Sequence, residues 1–478
     1  MKYLIILTQL LLFTVMAQNT GNNNKLNELI KNGEFKKAES IIAGELASGR
    51  LSPQDIYNYN FYTDLMFRIE RDFTKTEDDV LAWLSKYYPG IKSADLEKWE
   101  KDGSLEMRKI NGVKKYFKNG ARNLFRINKE AKKRFIEVEG NEPRELDNFL
   151  AELLPQLLKE SAASGKSSVM PIDFTIRYTL TVKPDVIPAG EVLRVWLPDP
   201  REIKGRQENV TFISANRSNQ VIAPADRLQR TIYLEAVAEA GKPTLFEASY
   251  SFRGYNIVSG IDFSKSHTID PLSEAFKNHT GERAPHIVYT DALKNLNAQI
   301  TAGVTDPALK AKKIYEWIND NIPWASALEY STIPNISSYC YENMHGDCGI
   351  QTLLFMTLCR MNGIPARWQS GWMLHPPEVN LHDWCEIYFD QTGWVPVDQS
   401  FKLQKSDDPQ VRYFFLGNID AYHFVVNDDY SQELFPAKTY PRSETVDFQR
   451  GEVEWKAGNL YFNNWNYDIN IDYKKADK

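Results

Sequence analysis

Several things are scarce in this chain, and each scarcity removes a class of function. Basic residues are in no excess: 57 Lys and Arg against 63 Asp and Glu leave a net charge of −6 over 478 residues. With no basic stripe, nucleic acid is not an expected partner. Cysteine is limited to four residues and histidine to seven, and no Cys/His cluster has metal-ligand spacing, so zinc is not expected. The Asn427-Asp428-Asp429 run lacks the alternating oxygen ligands and the glycine of a calcium loop. No glycine-rich phosphate cradle is present. Beyond the first residues, no apolar run approaches the roughly 20 needed to span a bilayer. The expected protein therefore carries no cofactor, no metal and no spanning helix.

What is present is ordinary in amount and distinct in arrangement. Apolar residues make 42% and charged residues 25%, as in soluble globular proteins, and the length calls for more than one core. Lys2, the apolar run Leu4 to Val15 and the small residues around Ala17 read as an export leader over 1–17, which predicts a periplasmic or extracellular protein. A helical domain is expected over 18–168. Leu26, Leu29 and Ile30, then Ala38, Ile41 and Ile42, recur at helical spacing, and Asp55–Ile69, Asp78–Tyr88 and Glu145–Leu158 repeat the pattern.

At Pro171 the period changes. Ile172, Phe174, Ile176, Tyr178, Leu180 and Val182 alternate with polar residues, as in a strand with one wet face. Further short strands, separated by Pro, Gly, Asn and Asp, predict an immunoglobulin-like β-sandwich over 169–256. An α+β core is expected over 257–402, and a strand-rich C-terminal extension, 403–478, is expected to pack on it. In that core, Asp306 caps a helix with Pro307 at its first position.

The most informative stretch runs from Gly346 to Asp398. Ile350, Leu354, Leu358 and Met361 recur three or four apart, and Gly363 and Pro365 stop the helix they define. Cys348 opens it, where the positive end of the helix dipole favours thiolate. From His382 the residues alternate as a strand, Asp390 to Gly393 has turn chemistry, and Trp394 to Asp398 forms the return strand. A nucleophile, an imidazole and a carboxylate brought together in this way suit thiol acyl transfer. A tight turn would set Asp398 opposite a residue two or three past His382, so a bulge or wider loop is expected to adjust the register.

Gly346-Asp347-Cys348, Leu358-Cys359-Arg360, Gly363-Ile364-Pro365-Ala366-Arg367, His382-Asp383-Trp384-Cys385-Glu386-Ile387-Tyr388 and Gly393-Trp394-Val395-Pro396-Val397-Asp398 resemble the transglutaminase-like superfamily of papain-type thiol enzymes. The resemblance covers roughly residues 285 to 402. It implies a papain/transglutaminase-like catalytic core with Cys348, His382 and Asp398 as the triad. It also makes Trp324 a candidate oxyanion donor, beside the backbone N–H of Cys348. The chain departs from the family at Asp383, where a small residue is usual, and at Gln399, where Pro is usual.

His345, Trp372, His375 and Trp384 are further candidates for the substrate cleft. A Cys340–Cys385 disulfide is an open possibility, while Cys359 reads as a small core residue. The expected activity is cleavage of amide or peptide bonds through an acyl-enzyme, with water as acceptor. The substrate would be a peptide or protein, a peptidoglycan-like amide included. Amine transfer to protein glutamine and a non-catalytic binding or scaffold role are the alternatives.

Overall fold

The computed structural model describes residues 23–49 and 51–475, so the expected leader lies outside the described residues. Among the described residues, no helix is long and apolar enough to cross a membrane. The chain divides into two compact units, 1–140 and 141–478.

The first unit is mainly helical. A helix over 23–31 is followed by Phe35–Ala47, Pro53–Asp72, Glu77–Leu84, Ser93–Lys101, Gly120–Ile127 and Lys129–Glu139. Ser52 with Asp55, and Thr76 with Asp79, form reciprocal capping boxes that fix two of the helix starts. Within the mainly helical segment that was expected, the structure adds a hairpin of Met107–Ile110 and Val113–Tyr116. Its turn residues, Asn111 and Gly112, both have positive φ, the backbone that an Asn-Gly hairpin turn requires.

The helix Glu145–Ser164 belongs to the second unit, not to the helical domain expected up to residue 168. Its stripe Leu146, Leu150, Leu154 and Leu157 is buried against Val169, Val258, Phe414 and Phe415. An apolar stripe at i, i+4 spacing needs such a partner surface, and here the sandwich and core supply it.

Two five-stranded sheets form the sandwich. One holds Ser168–Val182, Gln207–Ala215, Thr244–Val258, Asn418–Ile419 and Trp465–Lys475. The other holds Val192–Pro198, Val221–Ile222, Thr231–Val237, Glu452–Trp455 and Gly458–Asn459. Their inner faces share a cluster that includes Phe174, Tyr178, Val195, Leu234 and Phe252.

The C-terminal extension differs from expectation. It does not simply pack on the core; its strands are distributed between both sheet systems. Trp465–Lys475 pairs with Ser168–Val182 along its length, and Glu452–Trp455 pairs with Val192–Pro198. Both cover sheet edges that would otherwise present unpaired backbone groups. His423–Asn427 instead joins the catalytic sheet, whose order is Gly393–Val397, Glu378–Phe389, Ala366–His375, His423–Asn427. Helix Cys348–Met361 lies on this sheet, with Ile350, Leu354 and Leu358 packed against Cys385, Ile387 and Phe389. The fold is thus multidomain α+β.

Candidate active site

Cys348 is the first residue of its helix, and Asp347 is the N-cap. The Asp347 carboxylate accepts from the Ile350 N–H at 3.2 Å and from the Tyr330 hydroxyl at 2.7 Å. A side chain at Gly349 would displace its neighbours. A Cβ there would lie 2.3 Å from Tyr330 Oη and 2.6 Å from Asp383 Oδ2. These two side chains close over the helix mouth, and the thiol follows them: Cys348 Sγ donates to Asp383 Oδ2 at 3.3 Å. Asp383 also accepts from Gln449 Nε2 at 2.8 Å and from Tyr330 at 3.2 Å.

His382 turns the other way. Alternation along the strand puts Asp383, Cys385 and Ile387 toward the helix, and His382 with Trp384 on the opposite face. His382 Nε2 meets Asp398 Oδ2 at 2.5 Å. The hairpin register is continuous, with Cys385 opposite Val397, so no bulge adjusts it as had been expected. Instead the chain turns at Asp398, whose Oδ1 accepts from the Ser400 and Phe401 N–H groups at 2.8 and 3.1 Å. That turn leaves Oδ2 to reach diagonally back to the imidazole. The structure therefore joins His382 to Asp398, while Cys348 and His382 are not hydrogen-bonded to each other.

Asp398 has a second imidazole. His423 Nε2 lies 3.0 Å from the same Oδ2, and His423 Nδ1 lies 2.9 Å from Asp420 Oδ1. Asp420 Oδ2 then meets His375 Nε2 at 3.0 Å. The resulting chain, His382–Asp398–His423–Asp420–His375, is buried throughout. Both ring nitrogens of His423 face carboxylates, the arrangement of a doubly protonated imidazolium. Burial opposes that charge, yet Asp420 and Asp398 prevail and raise His423 to about 8. Burial likewise works against ionised Asp398, but His382 and His423 hold it below the usual carboxylate range. Ring nitrogens and carboxylate oxygens in this chain lie within 4.8 Å of one another in two groups of three, His375, Asp420, His423 and His382, Asp398, His423. Each such atom is engaged in one of the hydrogen bonds just given, which accounts for the spacing.

On the Cys348 side the electrostatics are reversed. Burial, then Asp383 and Asp347, push the thiol well above its ordinary range. The helix end does not secure a thiolate here, contrary to the sequence expectation, because burial and two neighbouring carboxyl groups all disfavour the charged sulfur. Asp347 is raised to about 6 by burial, and burial with the neighbouring carboxylates raises Asp383 and Asp447.

A cavity of about 220 Å³ opens on Cys348 and is lined by Trp324, Tyr330, Asp383 and Gln449 among others. Trp324 thus shares the cavity with Cys348. The other cleft candidates do not. His345 is buried against Tyr339 and lowered to about 4 by burial. His375 ends a buried strand and is spent on Asp420. Trp372 packs on Tyr178 and Phe424 and donates to the Gln449 carbonyl at 3.0 Å. Trp384 is buried and donates to Gln369 Oε1 at 2.9 Å. All four lie on interior faces, where large aromatic rings contribute more by packing than by meeting solvent. The four cysteines are free, and Cys340, Cys359 and Cys385 are fully buried, so the Cys340–Cys385 bridge is not formed.

Residues 294–399 match the model of the transglutaminase-like superfamily. This segment is a transglutaminase-like core. YebA of Bacillus subtilis (strain 168), described only as an uncharacterized protein, is 26% identical over 108 residues, 19% of this chain and 14% of its own. The chain thus spans a small part of that relative's length. A candidate cysteine protease from Cytophaga hutchinsonii aligns with a TM-score of 0.42 at 15% identity, over 65% of this chain and 93% of its own. The periplasmic domain of TgpA from Pseudomonas aeruginosa aligns at 0.24 and 13% identity, over 49% and 93%.

The transglutaminase-like core includes Cys348, His382 and Asp398, but His423, Asp420, Tyr330, Gln449 and Asp447 were not anticipated from the sequence. Tyr330, near the helix mouth, was within reach of a sequence argument. The others come from strands and loops after residue 402, where no local pattern marks them.

Proposed function

We propose that the protein is a thiol-dependent acyl-transfer enzyme that hydrolyses amide or peptide bonds, with Cys348 as nucleophile, His382 as base and Asp398 as the orienting carboxylate. The observation that carries this reading is a cysteine at a helix mouth that opens on a cavity, in a core that also holds a buried His382–Asp398 pair. Because Nε2 of His382 is held by Asp398, Nδ1 is the nitrogen left to take the thiol proton. For that step Cys348 must leave Asp383 and meet an imidazole that now faces away from the helix, a rearrangement of catalytic contacts that substrate binding is proposed to bring.

The sulfur then attacks the amide carbonyl, and His382 returns the proton to the departing amine. Water attacks the thioester, and the acid is released with the thiol restored. Trp324 and the Cys348 backbone N–H are proposed to hold the oxyanion. Hydrolysis is favoured over amine transfer because the cavity wall is polar, with Asp383, Glu444, Asp447, Gln449 and Arg450 in it. Such a wall retains water, whereas an amine acceptor prevails only where water is excluded. The export suggested by the leader pattern belongs to the same proposal.

The experiment is to supply peptide amides with a labelled primary amine and follow both products and the mass of the trapped enzyme. An acyl adduct on Cys348 and free acid as the main product are expected. Amine-bearing product in excess at millimolar amine would overturn hydrolysis, and the absence of any adduct would overturn the enzyme reading.

A further inference from the structure

The cavity at Cys348 has a composition that the proposed chemistry does not by itself require. Its wall holds five carboxyl groups, Glu329, Asp347, Asp383, Glu444 and Asp447, and one cation, Arg450. That cation is fully committed. Arg450 Nη2 lies 2.9 Å from Glu329, and its Nε lies 2.6 Å from Glu444. Among the described residues, Asp347, Asp383 and Asp447 form no ion pair with Lys, Arg or His. Asp447 is only 6% exposed and shares a hydrogen bond with Asp383, while its buried Oδ1 has no partner. A buried carboxyl oxygen left unpaired costs folding free energy unless something arrives to meet it.

We propose that this cleft recognises a cation, a protonated amine or guanidinium carried by the acyl donor next to the scissile amide, and that Asp447 and Asp383 are the groups that receive it. The inference rests on the acyl-transfer reading of Cys348 and names its substrate class. With nothing bound, burial and mutual repulsion favour the protonated forms of Asp383 and Asp447, and a bound cation supplies the counter-charge that lets them ionise. The same cation draws Asp383 away from the thiol and frees Cys348 for His382. The amine is recognised rather than used as a nucleophile, because these carboxylates favour its protonated form, which has no lone pair to attack the acyl-enzyme. The cation therefore belongs to the donor, in keeping with water as acceptor.

Two measurements test this, and they fail separately. In the first, Cys348 is modified with methanethiosulfonates bearing a trimethylammonium or a sulfonate group. The thiolate attacks the sulfenyl sulfur, a disulfide forms and methanesulfinate leaves. The ratio of cationic to anionic rates is compared with that of a free small thiol. At least a tenfold excess is expected in the native protein, reduced threefold or more by Asp447→Asn. A ratio equal to that of the free thiol overturns the proposal.

In the second, matched peptide amides carry Lys, norleucine or Glu beside the scissile bond. The Lys amide is expected to exceed norleucine at least tenfold in kcat/KM, with Glu lowest. Equal turnover of all three overturns the cation preference and leaves the hydrolase reading standing. No turnover of any, with a charge-selective Cys348, overturns the hydrolase reading and leaves the cation site standing.

Discussion

Cys348 Sγ and Asp383 Oδ2 lie 3.3 Å apart, and this contact replaces the cysteine–histidine contact that the motif order suggests. Asp383 occupies the face of its strand that looks at the helix, one residue after His382 on the other face. It holds the thiol in its neutral form, since burial and a facing carboxylate both disfavour thiolate. A small residue at this position would leave burial and the Asp347 carboxyl.

Asp383→Ala should therefore bring the thiol down. The midpoint of the pH–rate profile for alkylation of Cys348 should fall by about one unit or more, the order expected for removing one neighbouring carboxylate. Iodoacetamide rates between pH 5 and 10 would read it. An unmoved midpoint would show that Asp383 does not govern the sulfur.

Labelling should also be selective. Cys348 is half-buried at the cavity, while Cys340, Cys359 and Cys385 are fully enclosed. Mass mapping after brief alkylation of the native protein should find the adduct on Cys348 first. Cys348→Ala and Cys348→Ser should fold normally and show no amide cleavage. Preferential labelling of another cysteine would contradict the site.

Gly371 sits where the catalytic sheet is tightest. A Cβ there would meet the Phe424 carbonyl oxygen at 2.0 Å and the Val426 nitrogen at 2.9 Å. Gly371→Ala should thus force apart the strands Ala366–His375 and His423–Asn427, at a cost of about 1–3 kcal/mol or more. Urea denaturation should show a lowered midpoint, and activity should fall because His423 shifts with its strand.

The elements with strong local periodicity were legible in the sequence, and the contacts made across long separations were not. Ile350, Leu354 and Leu358 announced a buried helix, and the alternation from Ile172 to Val182 announced a strand, because each pattern is written in consecutive residues. The His382–Asp398 pair followed from family spacing. Trp372 and Trp384 were misplaced in the cleft, since a motif names a residue without saying which face of its strand it occupies. Asp420 and His423 reach Asp398 only through the pairing of His423–Asn427 with Ala366–His375, and nothing near residue 423 encodes that partner.

His423 gives the clearest dependence on pH. Its folded value of about 8 lies above the ordinary 6.5, so its contribution to stability is fully present below pH 6.5. It is lost as pH rises through 8, and by the linkage relation it amounts to about 2 kcal/mol. His423→Gln should consequently be more destabilising at pH 6 than at pH 9, by that order. The facing charges are Asp398 and Asp420, with His375 and His382 beyond them. Equal destabilisation at the two pH values would mean that His423 is neutral in the fold.

Asp398→Asn tests the centre of that network. From sequence alone the change should disturb only the tautomer and charge of the imidazole and leave stability almost unchanged. The structure alters that expectation. Oδ2 of Asp398 serves both His382 and His423, and Oδ1 holds the turn through Ser400 and Phe401. An amide can keep the Oδ1 contacts, but it presents N–H groups toward two imidazoles that need an acceptor. The His423 cation also loses one of its two carboxylates in a fully buried place. Removing one partner of a buried charge pair costs about 3–5 kcal/mol where no water can substitute. Turnover should fall by orders of magnitude, as expected when the base loses its orienting carboxylate. Unlike a purely catalytic lesion, the loss should be accompanied by a lowered denaturation midpoint that recovers in part at pH 9, where His423 gives up its proton. A variant that kept native stability at pH 6 would show that Asp398 and His423 are not the coupled pair drawn here.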